Sequence, residues 1–291
     1  MFDRLVVGFD GSQPSVAALR WAAGEAQLRR AKVDAIACVF VPVLFPVWPV
    51  GQIPLFIHEV KTMRADAQAD LGRVLADVTR SHPDVAFHSN VVDGHPLDVL
   101  VLESERCDMV VIGATGARAV EAPFLGSTAS GLARTCASPL VLVPGGEQHA
   151  RSDRIVVGTD GSGHSDAALD WAADEADRRG AELVVVHAWW YPYGGTELAP
   201  SEMHDRTRVD ASLVLGVAVE RCQERAGVSV RGLLLEHSAA PALIEQGLHA
   251  DMVVVGSRGR GRFRTLLFGS VARAVSEHAP CPIVVVRPPR T

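Results

Sequence analysis

Short, almost uninterrupted apolar runs alternate along this chain with longer segments in which apolar residues recur at helical spacing. In the first half the runs fall at residues 5–9, 34–40, 85–92, 109–113 and 140–143; in the second they fall at 155–159, 183–188, 229–235, 252–256 and 283–286. Runs this brief and this rich in Val, Ile and Leu predict strands buried on both faces. Residues 17–28, 60–80 and 97–106 set apolar positions on one side and charges on the other, which predicts amphipathic helices. Alternation of the two implies an α/β fold: a parallel, doubly wound sheet with helices on both faces.

The pattern is written twice. Val6-Val7-Gly8-Phe9-Asp10-Gly11-Ser12 returns as Val156-Val157-Gly158-Thr159-Asp160-Gly161-Ser162, and in the same register Leu19, Trp21, Ala22 and Ala23 meet Leu169, Trp171, Ala172 and Ala173. Later, Asp108-Met109-Val110-Val111-Ile112-Gly113 matches Asp251-Met252-Val253-Val254-Val255-Gly256, and Pro139-Leu140-Val141-Leu142-Val143 matches Pro282-Ile283-Val284-Val285-Val286. Four blocks in one order make an internal repeat, so two copies of one domain are expected, at 1–146 and 152–291. The polar, glycine-containing stretch around 145–152 reads as the linker.

Composition narrows the class. With 48% hydrophobic and 21% charged residues, the balance is that of a globular protein. A net charge of −6 and a pI near 6.0 argue against a nucleic-acid partner. Five scattered cysteines without a Cys-x-x-Cys pair, and histidines without ligand spacing, argue against a disulfide framework or a zinc site. The opening Met1-Phe2-Asp3-Arg4 runs directly into an apolar strand, so a cytoplasmic location is expected. Residues 38–57 approach membrane-spanning length, but Pro42, Pro46, Pro49 and Pro54 interrupt them. That many prolines deny a regular helix its hydrogen bonds, so a strand followed by a proline-rich surface loop is predicted, with no membrane span. A patch around Trp48 and Phe56 that meets a partner or acts as a lid is the alternative.

Candidate chemistry sits where the fourth strand of each copy ends. There Gly113-Ala114-Thr115-Gly116 is followed after nine residues by Gly126-Ser127-Thr128, and Gly256-Ser257-Arg258-Gly259 after nine by Gly269-Ser270-Val271. Ligands of open parallel sheets bind beyond the carboxyl ends of the strands, at the reversal of strand order. Leading glycines let backbone approach an anion and accept positive φ, while the closing Gly-Ser opens a helix whose N–H groups and dipole favour phosphate. The Ser hydroxyl adds a donor, and such a nest of amides needs no lysine. That matters here, because the only lysines are Lys32 and Lys61, neither beside a glycine loop. Asp10 and Asp160, taken alone, would be ordinary turn and helix-cap residues; the loop recurring downstream of both points to a site.

On this doubled glycine spacing, with Asp10 and Asp160 ending the first strand of each copy, the chain resembles tandem universal stress proteins of the ATP-binding type, almost end to end. The resemblance implies a five-stranded parallel sheet in the order 3-2-1-4-5 in each copy. It implies ATP, with Mg²⁺, as the ligand. Asp10 and Asp160 would face the adenine or ribose, with Gly8 and Gly158 nearby, and Cys38 and Ala188 would offer backbone to the adenine. The phosphates would lie on Gly113, Ala114, Thr115, Gly116, Ala117, Arg118, Ala119, Gly126, Ser127 and Thr128 in one copy, and on Gly256, Ser257, Arg258, Gly259, Arg260, Gly261, Arg262, Gly269, Ser270 and Val271 in the other.

The loops differ in charge. Arg258, Arg260, Arg262 and Arg264 stand in the second, with no acid between Gly256 and Gly269; the first has Arg118 but also Glu121 and Pro123. Arginines add charge-assisted hydrogen bonds and a carboxylate repels polyphosphate, so the second site is expected to bind ATP more tightly. Three function classes follow: a nucleotide-binding regulator of stress response, growth or dormancy acting through a protein partner, a slow ATPase or self-phosphorylating enzyme (on Ser127 or Ser270), and an interaction scaffold with a structural nucleotide. A P-loop, kinase signatures and a Gly-x-Ser-x-Gly elbow are missing from the sequence. Gly94-His95-Pro96 and Gly163-His164-Ser165 each lack the second His of an adenylyl-transfer motif. The expectation is therefore a binding protein and not an enzyme. The short apolar fifth strands would pair the two copies, by implication of the resemblance, and a homodimer is expected.

Overall fold

A computed structural model describes residues 3–40, 53–116, 125–146, 151–190, 201–259 and 268–288. The chain divides into two compact units, Met1–Gly146 and Glu147–Thr291. The first runs β1 (Arg4–Phe9), α1 (Gln13–Arg29), β2 (Lys32–Val39), α2 (Ile53–Ser81), β3 (Phe87–Asp93), α3 (Pro96–Ser104), β4 (Met109–Gly113), α4 (Ser127–Thr135) and β5 (Leu140–Val143). Its strands are parallel in the order β3-β2-β1-β4-β5. The second unit runs β6 (Arg154–Gly158), α5 (Gly163–Arg179), β7 (Glu182–Trp189), α6 (Ser201–Arg225), β8 (Val230–Glu236), α7 (Ala239–Gly247), β9 (Met252–Gly256), α8 (Ser270–His278) and β10 (Ile283–Val286). Its order is β8-β7-β6-β9-β10, again parallel, with helices on both sheet faces. The expected α/β class and strand order are thus met in each copy.

The inner strands are apolar throughout because helices cover them on both sides. Leu5, Val6, Val7, Met109, Val110 and Val111 are fully buried, as are Ile155, Val156, Val157, Met252, Val253 and Val254. Burying a Val or Leu side chain contributes about 1.5–3 kcal/mol, so this central slab anchors the carboxyl ends on which the site stands.

Capping residues fix the helices that follow the first strand of each copy. Ser12 and Ser162 accept a hydrogen bond from the amides of Ser15 and Ser165, both at 3.3 Å. At the far ends, α1 closes on Arg30 at φ 53° and α5 on Gly180 at φ 63°. Only the glycine adopts that left-handed conformation without steric cost. One expectation is corrected: helix α2 begins at Ile53, so residues 53–57 are helical where a loop was predicted. Pro54 stands in the first turn, where a missing N–H costs nothing. Residues 41–52, with Trp48 and most of those prolines, lie outside the described residues.

Two charged features recur with altered chemistry. Glu25 of α1 is buried against Arg29, and Glu175 of α5 is buried between Arg178 and Arg179. A second pair ties the first helix of each unit to the next. In the first unit Arg20 of α1 meets Asp77 of α2 at 3.5 Å. In the second, Asp170 of α5 takes both Nε and Nη2 of Arg221 of α6, each at 2.6 Å. The helices joined are equivalent while the signs are reversed, and the single approach becomes a two-pronged pair.

Candidate functional site

In each unit the strand order reverses beside the first strand: β2 flanks β1 on one side and β4 on the other, with β7 and β9 flanking β6 likewise. Asp10 and Asp160 follow those strands. Asp10 Oδ1 accepts from the Ser12 amide at 3.0 Å and from Ser12 Oγ at 2.5 Å, and Asp160 Oδ1 accepts from the Ser162 amide at 3.0 Å. The turn between them needs Gly11 at φ 79° and Gly161 at φ 69°. One carboxylate oxygen therefore builds the turn, as a bare cap would. The other turns toward the glycine loop: a Cβ placed on Gly116 would sit 3.0 Å from Asp10 Oδ2, and one on Gly259 would collide with Asp160 Oδ2.

The loop mouths have one construction. The Ala114 amide donates to the Val143 carbonyl at 2.8 Å and the Gly126 amide to the Ala114 carbonyl at 3.1 Å; the Ser257 and Gly269 amides do the same to Val286 and Ser257 at 2.8 and 2.9 Å. These bonds set the start of α4 and α8 beside the carboxyl ends of β4 and β9. The N-caps Gly126 and Gly269 supply no side-chain hydrogen bond, so the first amides of α4 (Ser127, Thr128) and α8 (Ser270, Val271) are not capped by a side chain. Uncapped amides at the positive end of a helix dipole are a phosphate-binding device.

Of the two reasons expected for glycine in the loop, positive φ is not met. None of Gly113, Gly116, Gly126, Gly256, Gly259 and Gly269 has positive φ. All of them but Gly126 lack room for a side chain. A Cβ on Gly113 would lie 2.7 Å from Pro14 Cβ, and one on Gly256 would lie 2.6 Å from the His164 carbonyl oxygen. The strand end and the first turn of α1 or α5 thus touch backbone to backbone. Gly8 and Gly158 serve packing too: a Cβ there would come within 2.9 Å of Leu100 and Ile112, or of Leu243.

In the second unit these elements enclose a cleft of about 540 Å³, a size proper to small-molecule sites. Its wall includes Asp160, His164, Arg258, Gly259, Ser270 and Val271, and on the apolar side Ala188, Leu243 and Gly158. His164 Nδ1 lies 3.3 Å from Oγ of the fully buried Ser257. The imidazole pKa is lowered, first by burial and then by the positive charges of Arg258 and Arg287, against the opposing pull of Asp160. The buried Nε–H of Arg258 has no hydrogen-bond partner among the described residues. A buried cationic donor left unpaired is costly unless an anion meets it.

The structure brings together Asp10 with Gly116, and Asp160 with Gly259, Arg258, Ser270 and Val271. Ala188 borders the second cleft, and Cys38, its counterpart near the end of β2, is partly buried with its thiol pushed up to about 11. Ala117, Arg118, Ala119, Glu121, Pro123, Arg260, Gly261, Arg262 and Arg264 lie outside the described residues. Sequence reasoning missed His164 as a site residue and Arg287 altogether. Each stands where the first copy has proline, Pro14 and Pro144, so a comparison of the copies position by position would have found them. His95, also singled out, caps α3 by accepting from the Leu97 amide at 3.3 Å. Among the described residues, no group of three His, Cys, Asp or Glu side chains could hold a metal, and no helix is long and apolar enough to cross a membrane.

Comparison with known proteins agrees with the internal repeat. The model of the universal stress protein family matches residues 1–144 and again 151–287. A universal stress protein of Mycolicibacterium smegmatis is 34% identical over 289 residues, covering 98% of this chain and 97% of its own. One from Mycobacterium tuberculosis is 32% identical over 303 residues, with 98% and 95% covered. Among solved structures, a universal stress protein from Archaeoglobus fulgidus has the same fold, with a TM-score of 0.67 at 18% identity over 98% of this chain and 96% of that one. With both halves matched in turn, the chain belongs to the universal stress protein family and carries its domain twice.

Proposed function

We propose that this protein binds ATP through two domains, 1–146 and 152–291, each gripping phosphates with backbone amides. The observation that carries the reading is the meeting of three elements in each copy: an aspartate after the first strand, a glycine pressed against it, and the uncapped start of α4 or α8. In the second copy the cleft between them is large enough for a nucleotide and its wall includes an unpaired cationic donor. Asp160 and the ends of β6 and β7 would face the nucleoside, and the loop and α8 the phosphates. Mg²⁺ would enter with the triphosphate, carried by phosphate oxygens and water instead of a protein cage.

The second copy binds more tightly. Arg258 supports this reading, together with the arginines that follow it in sequence. Backbone donors, serine and arginine favour holding the nucleotide over turning it over, so the protein acts as a cytoplasmic, nucleotide-dependent regulator of stress response or growth. It works as a homodimer that meets a protein partner according to its nucleotide state. Mass analysis of the nucleotide released on denaturation tests the ligand, and light scattering tests the dimer. Titration of separate Gly116 and Gly259 variants tests the asymmetry: equal loss of affinity in both would remove it. Many rapid turnovers at millimolar ATP would overturn the non-enzymatic reading.

A further inference from the structure

The second cleft holds a group of side chains that the first one lacks. His164, in the first turn of α5, lines the cleft; its main chain is wedged on Gly256 and its Nδ1 faces Ser257 Oγ at 3.3 Å. Arg258 lines the same cleft, with its buried Nε–H unpaired among the described residues. Arg287 follows β10. At the matching positions the first copy has Pro14, Ala114, Thr115 and Pro144, so all four hydrogen-bonding or charged groups give way to groups with no charge. The backbone around them is nonetheless the same, down to the hydrogen bonds of the loop mouth.

We propose that His164 is a phosphate ligand of the second cleft, acting with Arg258 and in its imidazolium form, so that nucleotide binding there takes up a proton while binding in the first cleft draws on no such group. The proposal rests on the nucleotide reading above and gives that site its proton linkage. A neutral imidazole has one N–H to give; the imidazolium has two. With Nδ1 engaged by Ser257 Oγ in either direction, Nε2–H is left for a phosphate oxygen, and only the imidazolium adds a positive charge to that hydrogen bond. The proton comes from solvent and no covalent bond changes.

The sign of the linkage follows from the surroundings. Among the described residues, the charged groups acting on His164 are Arg258 of the segment after β9, Arg287 after β10 and Asp160 after β6. Burial and the two arginines disfavour the charged ring in the free protein, outweighing Asp160. A phosphate brought against Arg258 cancels the repulsion and adds an attraction, raising the pKa. Affinity is then level at high pH, strengthens as pH falls through the raised bound-state value, and levels again below the lowered free-state value. Each unit of separation between those two values gives about a tenfold gain in affinity.

The full chain is titrated with ATP and with adenosine by calorimetry, in two buffers of different protonation enthalpy, at about pH 6 and about pH 8. Wild type is compared with His164→Gln, and with His164→Pro, the residue the first copy has. ATP's own titration contributes to every protein alike. With ATP, wild type should take up about half to one proton more than either variant near neutral pH, and its second-site affinity should gain about three- to tenfold more between pH 8 and pH 6. Adenosine should show no difference in proton uptake. Circular dichroism verifies that the variants are folded; should one fail, the other decides. ATP binding with equal proton uptake in wild type and variants overturns this proposal alone, as does an equal His164-dependent uptake with adenosine. No ATP binding by any of the proteins overturns the nucleotide reading and the proposal with it.

Discussion

The loop sites at the carboxyl ends of β4 and β9 share a backbone and differ in their side chains. Both have an aspartate whose Oδ1 builds the turn into the next helix, a loop mouth closed by the same two amide bonds, and a helix opened by an uncapped Gly-Ser. In the first, prolines abut the strand end, and Pro14 presses on both Gly113 and Gly145. In the second, histidine, serine and arginine occupy the corresponding places. What is common to the two is main-chain geometry, which the glycines secure by their lack of a side chain. What differs is charge. The main chain sets a place for an anion, and the side chains set how strongly, and at what pH, it is held.

The comparison can be broken most forcefully at the helices behind the clefts. Replacing Glu175 by Leu removes the buried carboxylate that Arg178 and Arg179 share and should cost about 2–3 kcal/mol of stability, and Glu25→Leu, opposite Arg29, should cost a similar amount. Chemical denaturation measures both; loss in one unit only would show that the copies no longer share this device. Next in size are Gly113→Ala and Gly256→Ala. Each forces a Cβ against backbone of the first turn of α1 or α5, so each should destabilise its own unit by about 1–3 kcal/mol and remove one ATP per chain from the calorimetric stoichiometry.

A smaller effect sharpens the contrast between the sites. Giving the first copy the four residues of the second (Pro14→His, Ala114→Ser, Thr115→Arg and Pro144→Arg) should raise its ATP affinity by about tenfold, or ~1.4 kcal/mol, read by calorimetry with the second site blocked by Gly259→Val. An unchanged first site would place the difference in the loops instead. Smallest is Arg30→Gly. It relieves a left-handed residue where the second copy already has Gly180, and should stabilise the first unit by about 1 kcal/mol in thermal melts.

Much of the fold was legible because strands covered on both faces leave no alternation to decode: residues 109–113, 140–143, 252–256 and 283–286 are apolar runs and coincide with β4, β5, β9 and β10. The start of α2 was not. Prolines at 42, 46, 49 and 54 spoke for a loop, and Pro54 is instead seated in a first helical turn. At the site, the spacing of glycines was readable but their purpose was not. Positive φ is the usual reason for a glycine loop, whereas Gly256 and Gly113 answer to neighbours far away in sequence, His164 and Pro14. His164 and Ser257 are 93 positions apart, and only the meeting of α5 with the end of β9 makes them one group.

The reversed ion pairs behind the sheets bear on how such a chain reaches its native state. Two near-duplicate units on one polypeptide invite a helix of one to settle against the sheet of the other while both are half formed. Were α1 to lodge beside α6, Arg20 would confront Arg221; were α5 to lodge beside α2, Asp170 would confront Asp77. Each wrong match meets like charges where each right one meets opposite charges, so the exchange of signs gives each unit a small bias toward its own helices.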